Sequence, residues 1–92
     1  MIEGFRCKDT AQLWETGVSK RFTNLAQVAM RKLMMLDAAE TLDDLRVPPA
    51  NHLEALKRNR VGQHSIRINR QWRLCFRWVN GNALDVEITD YH

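Results

Sequence analysis

The sequence has 92 residues and a net charge of +3, with 45% apolar and 27% charged residues. This length and apolar content predict one small folded domain, residues 1–92, and argue against disorder. No apolar run approaches the ~20 residues of a membrane helix. The N-terminus lacks a basic region followed by an apolar one, so we expect a cytoplasmic protein with no membrane partner.

The N-terminal part of the chain predicts a short strand followed by a short helix. The strand consists of residues 2–5. The helix is capped by Asp9 or Thr10 and runs through Glu15. It ends before Gly17, since glycine is favoured just past the end of a helix.

A second helix is the clearest helical element in the sequence. It runs from Thr23 or Asn24 to Ala38 or Ala39. Apolar residues recur there at spacings of three and four, which places them on one face and predicts that this face packs against the core. These residues are Phe22, Leu25, Ala29, Leu33 and Leu36.

The segment after the second helix predicts a helical turn and then a loop. Thr41 and Asp44 have the spacing of a capping box at the start of the turn. The turn must stop before Pro48, because proline disfavours a helical conformation in the residue before it. Residues 51–56 are predicted to form a loop that enters a short strand.

The last third of the chain predicts three strands, residues 64–68, 72–79 and 83–89. Apolar and polar residues alternate in each, as they do in a sheet with one buried face. The full order is strand, helix, helix, turn and four strands. It predicts an α+β fold with the helices on one face of a mainly antiparallel sheet and the other face open.

The register of the last hairpin follows from the apolar residues. A three-residue loop, residues 80–82, keeps them on one face, whereas a two-residue loop pairs Phe76 with Asp85 and mixes the faces. The predicted pairs are Trp78 with Leu84, Phe76 with Val86, Leu74 with Ile88, and Arg77 with Asp85.

The preceding turn, residues 69–71, sets two arginines against each other. Pairing Ile66 with Leu74 keeps the apolar face intact and places Arg67 opposite Arg73. Like charges directly opposite each other are destabilising, which suggests an anion between them. A slip of two residues preserves the faces and moves the two arginines to a diagonal.

A block of seven basic residues without an Asp or Glu lies between Ala55 and Leu84. Such a block suggests a polyanionic partner, most often nucleic acid. The alternative is a solvated, solubilising surface. The block consists of Lys57, Arg58, Arg60, Arg67, Arg70, Arg73 and Arg77.

Other kinds of site find little support in the sequence. Cys7 and Cys75 do not have metal-ligand spacing and are expected to be free thiols. The sequence has no phosphate-binding glycine loop and no nucleophile elbow. His52, His64 and His92 do not converge if His64 faces the core. We therefore expect neither a metal nor another cofactor.

Several segments together resemble the HigB toxins of the RelE/ParE superfamily: residues 45–51, 62–69 and 71–76, and the terminal residues 90–92. The resemblance covers essentially the whole chain. It implies a RelE-like fold, with an N-terminal strand and two helices on one face of the sheet. It also implies a type II toxin–antitoxin toxin that cuts mRNA in the ribosomal A site without a metal. The implied partners are a HigA-type helix-turn-helix antitoxin, the 70S ribosome and mRNA.

Metal-free RNA cleavage needs a base for the ribose 2′-OH, an acid for the 5′-oxygen and cations for the phosphoryl oxygens. Arg73 suits the last role, because its planar fork grips two phosphate oxygens. His92 can exchange a proton near neutral pH, although a terminal histidine is otherwise a frayed surface residue. Asp90 can orient His92 or take a proton. Tyr91 can stack on a base or donate its hydroxyl, or can simply pack.

The resemblance assigns further residues. Lys57 contacts the scissile phosphate. Glu54 stands where some relatives have a histidine, three positions before the equivalent of Lys57. Three alternatives follow: Glu54 supplies the base, the C-terminal residues supply it, or the activity is weak. The remaining candidates contact the RNA backbone, where affinity does not depend on sequence. These are Arg58, Arg60, Arg67 and Arg77.

A second class of function is consistent with the same superfamily. ParE-like members bind a protein target such as DNA gyrase and inhibit it without catalysis, and fold alone does not separate the two classes. Arg73 and residues 90–92 favour the nuclease. A basic RNA-binding module without catalysis is a third, weaker alternative.

Overall fold

The computed structural model describes residues 1–90, and within them two helices pack against one face of a four-stranded sheet. Helix α1 is Lys8–Thr16 and helix α2 is Ala26–Ala38, which follows a 3-10 turn at Thr23–Leu25. Both predicted helices are therefore present. No helix among these residues has the length and apolarity needed to cross a membrane.

Helix α1 ends as predicted but begins differently. Gly17 adopts a left-handed conformation, with φ 77°, and its N–H bonds to the carbonyl of Leu13. The capping position is occupied by Cys7, without a side-chain cap, and not by Asp9 or Thr10. The hydroxyl of Thr10 is buried and accepts a hydrogen bond from the N–H of Ile88 at 3.0 Å. The Thr10 side chain thus accepts a hydrogen bond from strand β4 instead of capping its own helix.

The core lies between α2 and the sheet. All five residues of the predicted apolar stripe are buried, from Phe22 to Leu36. They share one cluster with the inward-facing residues of the last two strands, Leu74, Phe76, Val86 and Ile88. The 3.6-residue period of the helix and the two-residue period of the strands therefore meet on the same buried surface.

The connection from α2 to the sheet is held by side-chain hydrogen bonds. Thr41 and Asp44 form the predicted capping box at the start of a 3-10 turn, Leu42–Arg46. Asn51 is fully buried; its Nδ2 donates to the carbonyl of Leu45 at 3.1 Å, and its Oδ1 accepts from Nζ of Lys32 at 2.6 Å. Asn51 therefore ties this connection to α2.

The sheet has the order β1-β2-β3-β4, and all neighbours are antiparallel. Strand β1 is Glu54–Ala55, β2 is Gln63–Arg67, β3 is Trp72–Val79 and β4 is Asn82–Asp90. The α+β fold and its antiparallel sheet are confirmed.

The predicted N-terminal strand is reduced to two isolated contacts. Ile2 forms a parallel bridge with Ala83, and Phe5 forms one with Val86. The N-terminal segment therefore runs along the outer edge of β4. Its contacts cover an edge that would otherwise present unpaired backbone groups.

The predicted loop of the last hairpin is wrong by one residue. The turn has two residues, Asn80 and Gly81, both with positive φ, and Val79 pairs with Asn82. Positive φ at both positions is typical of the turn that suits the twist of a hairpin. As a result Trp78 pairs with Ala83, and Arg77 pairs with Leu84.

A β-bulge restores the apolar register beyond this turn. Two residues of β4, Asp85 and Val86, stand opposite Phe76, and Asp85 has φ 51°. One extra residue on β4 moves the later side chains back to their expected face. Leu74 then pairs with Ile88 as predicted. The turn and the burial pattern thus both hold, because the bulge absorbs their one-residue conflict.

Candidate active site

The functional candidates lie mostly on the sheet face that points away from the helices, which we call the polar face. Two cross-strand rows define it. One row pairs Glu54 with Ser65, Ser65 with Cys75, and Cys75 with Glu87, and the next pairs Arg67 with Arg73 and Arg73 with Thr89. Because side chains alternate along a strand, residues of both rows point to the same side.

The polar face is not the open surface that the alternation predicts. Ser65 and Cys75 are fully buried, and Gln63 is nearly so. Long charged side chains from neighbouring segments lie over this row. Arg60 donates to Glu87 at 2.7 Å and to Gln63 at 3.1 Å. The face is therefore a partly covered polar surface.

The guanidinium of Arg73 is held in a fixed direction. Its Nε donates to Oγ of Ser65 at 2.7 Å, and its Nη2 donates to the carbonyl of His52 at 2.7 Å. Oε1 of Glu54 lies 3.6 Å from the same Nε. Nη1 makes no hydrogen bond within residues 1–90. The group is thus oriented by three neighbours, while one nitrogen retains its donors.

The facing pair of arginines is confirmed in the backbone register, since Arg67 and Arg73 are Cα partners. Their guanidinium groups have different neighbours. Arg73 reaches toward β1, whereas Nε of Arg67 donates to the carbonyl of Asn69 in the next turn, at 3.1 Å. These partners offset the repulsion, so the pairing alone does not require an anion between the two groups.

The basic block is partly neutralised by acids from outside it. Arg60 pairs with Glu87, and Arg77 pairs with Asp85 at 3.3 Å. Lys57 precedes a 3-10 turn, Arg58–Arg60, and both Lys57 and Arg58 are exposed, without an ion pair among residues 1–90. The carboxylates that pair with the block come from flanking segments and are those of Glu54, Asp85 and Glu87.

Cys75 lies in the middle of the polar face. Burial raises the pKa of its thiol to about 11; Arg60 and Arg73 act in the opposite direction, and Glu87 and Glu54 add to the rise. The thiol is therefore uncharged at neutral pH. Cys7 and Cys75 are both free thiols, as expected.

Ser65 and Glu87 of this face were not singled out from the sequence, and Cys75 was expected only to be a free thiol. The signal that could have found them is the two-residue alternation. Ser65 shares its face with Arg67, and Cys75 shares its face with Arg73. The ion pair of Glu87 with Arg60 had no sequence signal, because 27 positions separate the two.

Asp90 ends β4 opposite Trp72. Nε2 of Gln71 donates to its Oδ2 at 2.9 Å. Because neighbouring residues of a strand point to opposite sides, Asp90 shares the side of Trp72, which packs against the core, and not the side of Thr89 and Arg73. Tyr91 and His92 lie outside the described residues, and their roles stay predictions.

The two described histidines differ. The ring of His52 is exposed, and this residue contributes its backbone carbonyl to Arg73. His64 stacks on Phe76 with ring centroids 6.3 Å apart, on the helix side of the sheet as predicted, and its buried Nδ1 has no hydrogen-bond partner among residues 1–90. The same residues contain no cluster of three or more His, Cys, Asp or Glu able to hold a metal ion.

Solved structures of other proteins share this fold. One is described as the YoeB–YefM complex from Staphylococcus aureus, with a TM-score of 0.62 and 17% identity over 100% of this chain and 98% of that one. Another is YafQ from E. coli strain BL21(DE3), with a TM-score of 0.60 and 10% identity over 98% and 93% of the two chains. At these identities the likeness concerns the fold.

Sequence comparisons are closer. A family model described as the RelE-like toxin of type II toxin–antitoxin system HigB matches residues 3–92. Toxin HigB-1 of Vibrio cholerae is 42% identical over 83 residues, 88% of this chain and 87% of the relative. Endoribonuclease HigB of Proteus vulgaris is 33% identical over 95 residues, 100% of both chains. The chain therefore belongs to the RelE-like HigB toxins of type II toxin–antitoxin systems.

Proposed function

We propose that this toxin is a ribosome-dependent endoribonuclease that cuts mRNA in the A site without a metal ion. The observation that carries the proposal is the fixed guanidinium of Arg73 on the polar face, with Nη1 free of hydrogen bonds to residues 1–90. A relative that matches the whole chain carries the name Endoribonuclease HigB, which supports the same activity.

The proposed reaction uses the substrate's own 2′-OH as the nucleophile. The 2′-oxygen bonds to phosphorus, the bond to the 5′-oxygen breaks, a base takes the 2′-OH proton and an acid protonates the leaving oxygen. Negative charge develops on the phosphoryl oxygens. Arg73 is already oriented toward one side by Ser65 and the His52 carbonyl, so it stabilises this charge with little reorganisation.

The proton-transfer groups are assigned from the same region. Glu54 is half-exposed and lies beside Arg73, so it is a candidate base. His92 is the candidate acid, and Tyr91 is proposed to stack on a base of the substrate. Asp90 is proposed to orient His92. These are roles that side chains of this kind perform in proton transfer and RNA recognition.

The remaining cations are proposed to bind the RNA backbone. Lys57 and Arg58 are exposed and have no carboxylate partner among residues 1–90, which suits a phosphate contact. Arg60 and Arg77 are already paired with Glu87 and Asp85, so we propose a weaker contribution from them.

The proposed partners are an antitoxin of the HigA type, with a helix-turn-helix fold, and the 70S ribosome carrying mRNA. The structural neighbour described as a YoeB–YefM complex supports an antitoxin partner. A toxin that acts on translating ribosomes works in the cytoplasm, and this is where we propose that the protein acts.

Ribosomes programmed with a defined mRNA test the proposal. Arg73→Lys keeps the charge but loses the planar fork, and we expect a fall in cleavage rate of about 10²–10³-fold, as for the loss of an oriented transition-state donor. His92→Gln and Glu54→Gln identify the acid and the base. Arg46→Lys is the matched control, since Arg46 pairs with Asp43 on an exposed turn.

If the Arg73→Lys variant cuts mRNA as fast as the unmodified protein does, the assignment of Arg73 is contradicted. If the protein arrests growth while mRNA stays intact and DNA supercoiling is blocked, it is instead an inhibitor of a protein target such as DNA gyrase.

A further inference from the structure

A cavity of about 360 Å³ opens between α2, the 3-10 turn Pro49–Asn51 and the turn that joins β2 to β3. We call it the basic pocket. Among residues 1–90, four cations line it, two from α2 and two from the β2–β3 region, and no Asp or Glu does. The cations are Arg31, Lys32, Arg67 and Arg70.

These cations lack the carboxylate partners that others in the chain have. Within residues 1–90, none of the four forms an ion pair, whereas Arg60, Arg73 and Arg77 each do. The side chains of Arg31 and Arg70 make no hydrogen bond there either, and those of Lys32 and Arg67 bond to neutral oxygens. No carboxylate among residues 1–90 therefore pairs with the positive charge of the pocket.

The crowding of charge is visible at Lys32. Burial, together with the charge of Arg31, lowers the pKa of its ammonium. An anion in the pocket would reverse the second effect, because an opposite charge nearby favours the charged form. The arrangement is repulsive when empty and complementary to an anion.

Apart from Asn69, the rest of the lining is apolar. Val28, Met35 and Ile68 contribute to the wall of the same cavity. A phosphate alone uses only the cations, whereas a nucleotide also uses an apolar surface for its base. The volume lies at the small end of the range for ligand pockets, which suits one nucleotide and not a larger molecule.

We infer that the basic pocket binds one nucleotide unit of RNA, with its phosphate on the guanidinium groups of Arg31, Arg67 and Arg70 and its base against Val28, Met35 and Ile68. The unit is distinct from the linkage proposed to lie at Arg73. This inference rests on the proposed function only for the identity of the polymer.

The pocket adjoins the candidate active site through two backbone connections. Arg67, in its wall, is the Cα partner of Arg73. Ala50, in the opposite wall, is two residues before His52, whose carbonyl binds Arg73. A strand of RNA across the polar face therefore has a neighbouring nucleotide within reach of the pocket.

Binding is measured by NMR titration of isotope-labelled protein with adenosine 5′-monophosphate, which has no internucleotide linkage to cut. We expect amide shifts at Ala50, Ile68 and Asn69. Arg31→Gln with Arg70→Gln should weaken binding roughly tenfold or more, since a lost hydrogen bond between charged groups commonly has that effect. Arg6→Gln with Lys8→Gln removes the same two charges from exposed residues near the β4 edge.

Each comparison has a defined meaning. Adenosine and inorganic phosphate should each bind more weakly than the nucleotide, and a short 2′-O-methyl RNA should displace it. The inference is overturned if both double variants weaken binding equally, if phosphate alone binds as well as the nucleotide, or if the RNA does not compete. If the unmodified protein shows these amide shifts but does not cut mRNA on ribosomes, the proposed function is contradicted and the inference about the pocket stands.

Discussion

At the scale of single residues, Cys75 shows how the polar face protects its centre. Its thiol is buried beneath the charged groups that reach across the sheet, and burial raises its pKa to about 11. A thiol must ionise to react. A cysteine beside a candidate catalytic arginine is therefore chemically silent, and its place in the face is structural.

We predict that Cys75 resists alkylation at pH 8 in the folded protein, whereas Cys7, which is only half-buried, reacts. Mass spectrometry after timed labelling measures both, with Cys7→Ser as a single-cysteine control. Labelling of native Cys75 as fast as of the unfolded chain would contradict the burial.

The raised pKa of Cys75 also makes the stability of the folded protein depend on pH. The unfolded thiol ionises near its ordinary value of 9.0 while the folded thiol stays neutral to about 11. The contribution of Cys75 to stability is therefore complete below pH 9.0 and is lost as the pH rises toward 11. Cys75→Ala should remove this part of the alkaline loss.

The place of Arg73 on the polar face could be predicted from strand alternation, but its neighbours could not. Predicting Ser65 as a neighbour requires the register of β2 against β3, and the sequence indicates that register only through the pattern of buried residues. The His52 carbonyl had no signal, because a backbone oxygen is common to every residue and its direction depends on the loop.

At the scale of elements, the β-bulge in β4 reconciles two local preferences. The Asn80-Gly81 turn requires a two-residue loop, and the apolar residues of β3 and β4 require a different parity. Sequence alternation revealed the second requirement and not the bulge, because one inserted residue leaves both flanking patterns intact. The predicted loop absorbed the extra residue at the wrong place.

We predict that Asp85 stabilises the fold as much by tolerating a left-handed backbone conformation as by its charge. It has φ 51°, a left-handed conformation that costs most residues roughly 1–2 kcal/mol and that Asn, Asp and Gly tolerate. Asp85→Ala should lower the free energy of unfolding by about 1 kcal/mol, and Asp85→Asn by less than half as much. Urea denaturation measures both.

The two variants lose the same carboxylate, so the ion pair with Arg77 cancels in the comparison. That pair is half-exposed and contributes little in any case. Equal destabilisation by Ala and Asn would show that the charge, and not the backbone, is what the position requires.

At the scale of the whole molecule, the two faces of the sheet differ in what they carry. The helix side buries the apolar core, and the other side carries the polar and charged rows. The fold could be predicted because periodicity and the family segments agree along the whole chain. The basic pocket could not, since its cations come from α2 and from a turn more than thirty residues away.

We predict that core and polar-face variants separate stability from cleavage. Leu33 is fully buried, so Leu33→Ala should lower the free energy of unfolding by about 3 kcal/mol. That is a large part of the total for a domain of this size. Met34→Ala, at the exposed neighbouring position, should change it by less than about 0.5 kcal/mol.

Thermal unfolding and ribosomal cleavage, measured on the same preparations, provide the comparison. Leu33→Ala should retain cleavage at temperatures where it stays folded, and Arg73→Lys should retain its melting temperature. Stability losses of similar size for Leu33→Ala and Met34→Ala would mean that α2 does not seat its stripe in the core.

The oxygen that receives Nη2 of Arg73 belongs to the main chain of His52, which has a left-handed conformation with φ 45°. An alanine scan would pass over this contact, since every substitution there supplies the same oxygen. A change of loop length between Pro49 and Glu54, or an ester in place of the peptide bond, would disturb it. A substitution at position 52 thus keeps the acceptor oxygen, while the left-handed backbone limits which residues fit and the path of the loop is constrained by the hydrogen bond to Arg73.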